Sequence, residues 1–114
     1  MTRRHRWLAL LAGASVVALC AAIFVVLAGR EPTITAEGND WVPSTLTVAS
    51  QAEIVVRNTD LVVHTFVIEE LEIDANVTPG RDRTIRIDAG PGRYRFICDV
   101  TGHTGMTGTI EVTP

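Results

Sequence analysis

Cys98, His103 and Met106 fall within nine residues of one another in the run YRFICDVTGHTGM, Tyr94 to Met106. A thiol, an imidazole and a thioether so close together make a soft-metal loop. Thiolate and thioether favour Cu(I), imidazole suits copper in either oxidation state, and two histidines with one cysteine and a weak methionine form a trigonal copper electron-transfer site. The loop lacks only a second histidine. His64 can supply it from the strand-like run LVVHTFVI, six residues after Asn58 and thirty-four before Cys98.

Counting donors trims the other chemistries. Structural zinc normally recruits four cysteine or histidine ligands, and His64, Cys98 and His103 are the three that follow Arg30. A dinuclear purple-copper site needs a second cysteine in the loop, which has one. Multicopper oxidases and copper nitrite reductases need more histidines and further domains. A thiol enzyme built on Cys98 and a histidine base is disfavoured, because reactive cysteines are partly exposed and strand parity turns Cys98 inward. The chain reads as a non-enzyme.

The elements that must position these donors are strands. Apolar and polar residues alternate in Leu46 to Val48, Ile54 to Val56, Ile85 to Ile87 and Ile110 to Val112, the period of a strand with one face on a core. Turn chemistry separates them at Glu37-Gly38-Asn39-Asp40, Asn58-Thr59-Asp60, Thr78-Pro79-Gly80 and Gly90-Pro91-Gly92. After Arg30 no segment keeps a helical period over ten residues. About seven short strands with such spacing predict an all-β fold, a Greek-key β-sandwich. Side chains alternate faces along a strand, so Tyr94, Phe96 and Cys98 share the inner face and Arg93 and Arg95 the wetter one. The same parity groups Val62, His64, Phe66 and Ile68. His103 and Met106 then come from the following loop, where Gly102 and Gly105 give a short loop the backbone freedom to close around a metal.

Charge and hydropathy divide the chain into residues 1–29 and 30–114. Arg3, Arg4 and Arg6 precede an uncharged apolar or small-residue run of 22 positions, Trp7 to Ala28. About 20 such residues cross a bilayer as a helix, whereas a signal-peptide core is roughly 7 to 15. The length favours an uncleaved transmembrane anchor over a signal helix cleaved after Ala28. The basic head stays in the cytoplasm by the positive-inside rule, so the domain faces the periplasm or the cell exterior, tethered or secreted. All thirteen carboxylates lie after Arg30 against seven arginines from Arg30 onward, a net charge near −6 that excludes nucleic acid as a partner. Cys20 belongs to the apolar run, so Cys98 has no disulfide partner in the domain. A lone thiol in an oxidising compartment is expected to be buried or metal-bound.

Together the ligand loop, WVPSTLTV at Trp41 to Val48, the Asn58 to His64 spacing and GRYRFICDVTGH resemble the cupredoxins, the small blue-copper family of plastocyanin, azurin and amicyanin. The resemblance covers about Pro32 to Thr113. It implies one type 1 copper ion with His64, Cys98 and His103 as strong ligands and Met106 as the weak axial one. The Cys-x4-His spacing is azurin-like and the His-x2-Met spacing amicyanin-like. Two positions depart from the family habit: Thr101 stands where many relatives have proline, and Thr65 follows the first histidine where many have asparagine.

The function so implied is one-electron transfer by Cu(I)/Cu(II) cycling between a donor and an acceptor protein. The edge of His103, ringed by Val42, Pro43, Val100 and Gly105, would be the electron port. The same ligands would also serve an extracytoplasmic copper carrier or reservoir without a redox role. The run Glu69-Glu70-Leu71-Glu72-Ile73-Asp74 is a solvated edge or a patch that steers a basic partner.

Overall fold

Nine strands lie within residues 31–114, the part of the chain that the computed structural model describes; alternating burial is clear in β1 and β4, while β5 is buried at every position. They are β1 (Thr33–Ala36), β2 (Trp41–Val42), β3 (Thr45–Ala49), β4 (Glu53–Asn58), β5 (His64–Ile68), β6 (Ile73–Val77), β7 (Asp82–Arg86), β8 (Gly92–Ile97) and β9 (Thr107–Thr113). The apolar run on which the anchor or signal helix rests lies outside the described residues. Among the described residues no helix is long and apolar enough to cross a membrane.

Two sheets form a sandwich, one ordered β2-β1-β4-β7 and the other β3-β9-β8-β5-β6. Most neighbours are antiparallel, but β1 pairs with β4 and β3 with β9 in parallel. Ile34, Ile54, Val56 and Ile85 of the first sheet face Val48, Phe66, Ile68, Phe96 and Ile110 of the second, and all are buried. Trp41 meets Phe66 and Phe96 edge-on at centroid distances of 5.7 and 5.8 Å, and the two phenylalanines stack at 5.0 Å. Such geometries add about 0.5–1.5 kcal/mol per pair beyond area burial.

The strand count exceeds the expected seven by two, in part because the stretch from Trp41 to Val48 holds two strands, β2 and β3. Pro43 has no N–H to offer a ladder. The chain leaves the first sheet after Val42, bends through Pro43 and Ser44, and joins the second sheet at Thr45. Parity holds for Tyr94, Phe96 and Cys98, of which Phe96 and Cys98 are buried while Arg93 and Arg95 are exposed; His64, Phe66 and Ile68 are fully buried, but Thr65 and Val67 between them are buried too. It fails for Val62, which is 46% exposed. The strand begins only at His64, so Val62 belongs to the preceding loop.

Asn58 holds that loop in place. Fully buried, its amide nitrogen donates to the carbonyls of Val62 and Val77, both at 2.8 Å, while its side-chain oxygen accepts from the Asp60 amide at 2.9 Å. The Asn58 main chain bonds to Arg81 and Gly80. A buried asparagine with every group partnered fixes its neighbours, because each lost bond would leave an unsatisfied polar atom.

Gly108 lies opposite Phe96 in the β8–β9 ladder, and its role is space. A methyl group there would run into the Phe96 ring and stand 2.6 Å from the Ser44 carbonyl oxygen. Gly108→Ala is therefore expected to lower stability by about 1–3 kcal/mol, the usual range for overpacking. The loss reads as a lower urea midpoint at unchanged slope, and an unchanged midpoint would show that ring and strand move aside freely.

Candidate metal centre

β5 and β8 lie side by side and antiparallel, with Val67 opposite Ile97. That register brings His64, the first residue of β5, close to Cys98, the residue after β8. Both are buried, at 0% and 4% exposure. The chain beyond Cys98 is the loop of the β8–β9 hairpin, closed by a bond from the Cys98 amide to the Met106 carbonyl at 3.0 Å. Two tight turns fill the loop, His103 N–H to Val100 C=O and Met106 N–H to His103 C=O, each at 3.0 Å. Gly102 sits in the first with φ +89°, a conformation that favours glycine. The turns carry His103 back over the strand ends.

Three of the four predicted donors meet. His64 Nδ1 and His103 Nδ1 are 3.2 Å apart, and Cys98 Sγ lies 3.8 Å from the first and 3.6 Å from the second. For metal–nitrogen bonds of ~2.0–2.1 Å and metal–sulfur bonds of ~2.3 Å, donors of one ion in trigonal or tetrahedral array stand about 3.3–3.8 Å from each other. The spacing fits a single metal ion, and two imidazoles with one thiolate fit copper. The fourth candidate, Met106, is buried beside them in the chain, at 1% exposure. Its carbonyl accepts two hydrogen bonds, from the Cys98 amide and from the Trp41 indole N–H at 3.2 Å. Trp41 also covers His64, with ring centroids 6.2 Å apart.

Partners outside the donor set fix how the donors point. His64 Nε2 is 2.8 Å from Asp60 Oδ2. A carboxylate accepts only, so Nε2 carries the proton and Nδ1 presents its lone pair. Asp60 also accepts from the amides of Gly38 at 2.8 Å and Asn39 at 3.0 Å. The Asn39 amide foremost, with His64 and Gly38, holds the Asp60 carboxyl below the ordinary carboxylate range despite the cost of burial.

At the sulfur, the Thr65 amide points to Cys98 Sγ at 3.5 Å. The Thr65 hydroxyl is 3.7 Å from the same sulfur and donates to Asp99 Oδ1 at 2.6 Å, while the Asp99 amide donates back to it at 2.9 Å. Thr65, at a position where asparagine is usual, thus ties β5 to the residue after the cysteine.

The sequence singled out neither Asp60 nor Asp99. The signal for Asp60 was faint: a carboxylate four residues before a candidate histidine, inside a turn. Of the expected port residues, Pro43 and Gly105 are exposed, Val42 is 49% exposed, and Val100 and His103 are half-buried. Leu61, 95% exposed, and Val63, 42% exposed, add apolar surface just before His64. The acidic run occupies a 3-10 turn (Glu69–Leu71) and the start of β6. It lies beyond the far end of β5 from His64, about 17 Å along the chain at roughly 3.3 Å per strand residue.

Two cytochrome c oxidase subunit 2 proteins of Thermus thermophilus are 40% identical over 75 residues, which is 61% of this chain. The chain spans 56% of one and 45% of the other, about half the length of the curated relatives it matches. Among solved structures, a Cu-containing nitrite reductase from Thermus scotoductus superposes with a TM-score of 0.64 at 21% identity, over 75% of this chain and 23% of that one. Auracyanin from Roseiflexus castenholzii superposes with a TM-score of 0.63 at 21% identity, over 74% of this chain and 97% of that one. At such identities the likeness is one of fold. The cupredoxin-like domain model matches residues 8–112, nearly the whole sequence, and this chain belongs to the cupredoxin-like domain family.

Proposed function

We propose that this chain is a type 1 copper protein that carries single electrons between redox proteins on the outer side of a membrane, tethered by residues 1–29 or exported. The observation that carries the reading is the meeting of His64 Nδ1, Cys98 Sγ and His103 Nδ1 at 3.2–3.8 Å. These would be the strong ligands, with Met106 as the weak axial one. Bound copper would supply the one-electron Cu(I)/Cu(II) couple.

The chain's own part is to hold the donors still. His64 is held by Asp60 at the far ring nitrogen, Cys98 through its amide by the Met106 carbonyl, and His103 through its amide by the Val100 carbonyl. Donors fixed by neighbours that are themselves hydrogen-bonded have little to rearrange when the charge of the centre changes. His103 alone among the four is half-exposed, which supports its ring edge as the point where an electron enters and leaves. Val42, Pro43, Val100 and Gly105 would form an apolar, close-approach rim, and the acidic turn at Glu69–Glu72 a second contact surface for a basic partner.

The likeness to cytochrome c oxidase subunit 2 supports partners that are themselves redox proteins, such as a cytochrome or an oxidase. The division into an anchor or signal at 1–29 and a copper domain at 30–114 rests on hydropathy and charge. Copper storage or delivery would use the same donors, but three buried ligands and a loop closed at its ends favour a metal that stays.

The full chain loaded with one equivalent of Cu(II) is expected to show an intense blue absorption that ascorbate bleaches and reoxidation restores. Copper bound without colour would support the carrier reading instead. Cys98→Ala is expected to keep the fold, seen by far-ultraviolet circular dichroism, and to lose the colour; a variant still intensely blue would exclude Cys98 as the thiolate. Met106→Leu trades a sulfur donor for hydrocarbon, which disfavours the more highly charged oxidised state. It should retain copper with a raised reduction potential, and an unchanged potential would argue against axial ligation.

A further inference from the structure

We infer that Asp60 is a positioning residue of the metal centre: its carboxylate, braced by the Gly38 and Asn39 amides, orients His64 and biases the centre toward its oxidised state. The inference rests on the copper reading above and adds a residue outside its ligand set.

The brace is built from three parts of the chain. β1 and β2 are joined by a two-residue turn in which Gly38 has φ +62° and Asn39 φ +56°. Hydrogen bonds run both ways between Glu37 and Asp40 across it. Two consecutive positive φ values suit a tight hairpin and favour glycine and asparagine. Both central amides of that turn point away from the hairpin and onto one carboxylate, Gly38 N–H to Asp60 Oδ1 and Asn39 N–H to Oδ2. Asn58 Oδ1 in turn fixes the Asp60 amide at 2.9 Å. The Asp60 side chain is 18% exposed and the His64 ring it meets is fully buried.

A surface staple between the turn and the loop would need only the two amides. The third contact, to His64 Nε2 at 2.8 Å, gives the carboxylate a second consequence. An anionic acceptor on the far ring nitrogen fixes the tautomer and raises the basicity of the nitrogen that faces the metal. A stronger donor favours the more highly charged metal state. Asp60 should therefore strengthen Cu(II) binding more than Cu(I) binding and lower the reduction potential.

The test compares Asp60→Asn with the wild-type full chain, using Cu(II) and Cu(I) as probes. Outer partners of a ligating histidine are typically worth 10–100-fold in metal affinity. The expected result is at least a tenfold loss of Cu(II) affinity, a smaller loss for Cu(I), and a higher potential; each tenfold in the ratio corresponds to about 59 mV for one electron. Glu53→Gln removes the same charge from an exposed position at the start of β4 and should leave the potential in place. An Asp60→Asn potential equal to wild type, or an equal rise in Glu53→Gln, overturns the inference.

A measurement on the wild type covers the case in which Asp60→Asn unfolds. In the diamagnetic Cu(I) form, the 15N spectrum should show a protonated, slowly exchanging Nε2 on His64, and a deprotonated or rapidly exchanging Nε2 overturns the inference. If the wild type takes up copper and turns blue while these results fail, only the role of Asp60 is lost. A wild type that binds no copper overturns the copper reading itself.

Discussion

His64 and Cys98 are thirty-four residues apart in sequence and meet only because β5 and β8 are neighbours with Val67 opposite Ile97. Side chains alternate faces along each strand, so a slip of one residue would send one of the two donors to the outside of the sandwich. The register is held on the inside by Phe66, Phe96 and Trp41, whose rings pack against each other. It is held at the strand ends by Thr65 and Asp99, whose reciprocal bonds of 2.6 and 2.9 Å bridge the two chains just where the cysteine leaves the sheet. His103 and Met106 follow as consequences, because the hairpin that leaves β8 must return as β9 across a loop whose ends Cys98 and Met106 close.

The polar groups around the site are all satisfied. Among the described residues no buried side-chain nitrogen or oxygen lacks a hydrogen-bond partner. Asn58, Asp60 and Thr65 each bond to a different part of the chain, so the loop before His64 is tied to the β1–β2 turn, to the end of β6 and to β8 at once. Moving any donor would break bonds that are costly to leave unmade. Such anchoring suits the proposed centre, whose only change would be the gain and loss of an electron.

The donor set was legible in the sequence because its residue types are rare and their chemistry is specific. A cysteine, a histidine and a methionine in one loop narrow the metal before any fold is known. Strand parity placed Cys98 and His64 inward, and it failed at Val62 because hydropathy alone does not show where a strand starts; the hydrogen bond from Asn58 to Val62 keeps that stretch a loop. The sheet change at Pro43 precedes the alternation at Leu46 to Val48 and leaves no mark in it. Asp60 was the larger omission. Its partner on His64 is four residues away, but the amides that hold it come from a turn 21 and 22 residues earlier, and only the parallel pairing of β1 with β4, which sets Ala36 opposite Asn58, brings them together. The Thr65–Asp99 tie was invisible for a similar reason. A threonine in place of asparagine reads as a loss until its hydroxyl is seen to bond in both directions.

The central question is whether one copper ion sits among the donors that converge here and whether they stay in place when it changes charge. Copper K-edge X-ray absorption on the full chain, recorded in the Cu(II) state and again after reduction, addresses both. Two nitrogen ligands and one sulfur in each state, with distances that change little on reduction, is the predicted result. A first shell of nitrogen and oxygen only, or a shell that loses its sulfur or a histidine on reduction, would contradict it.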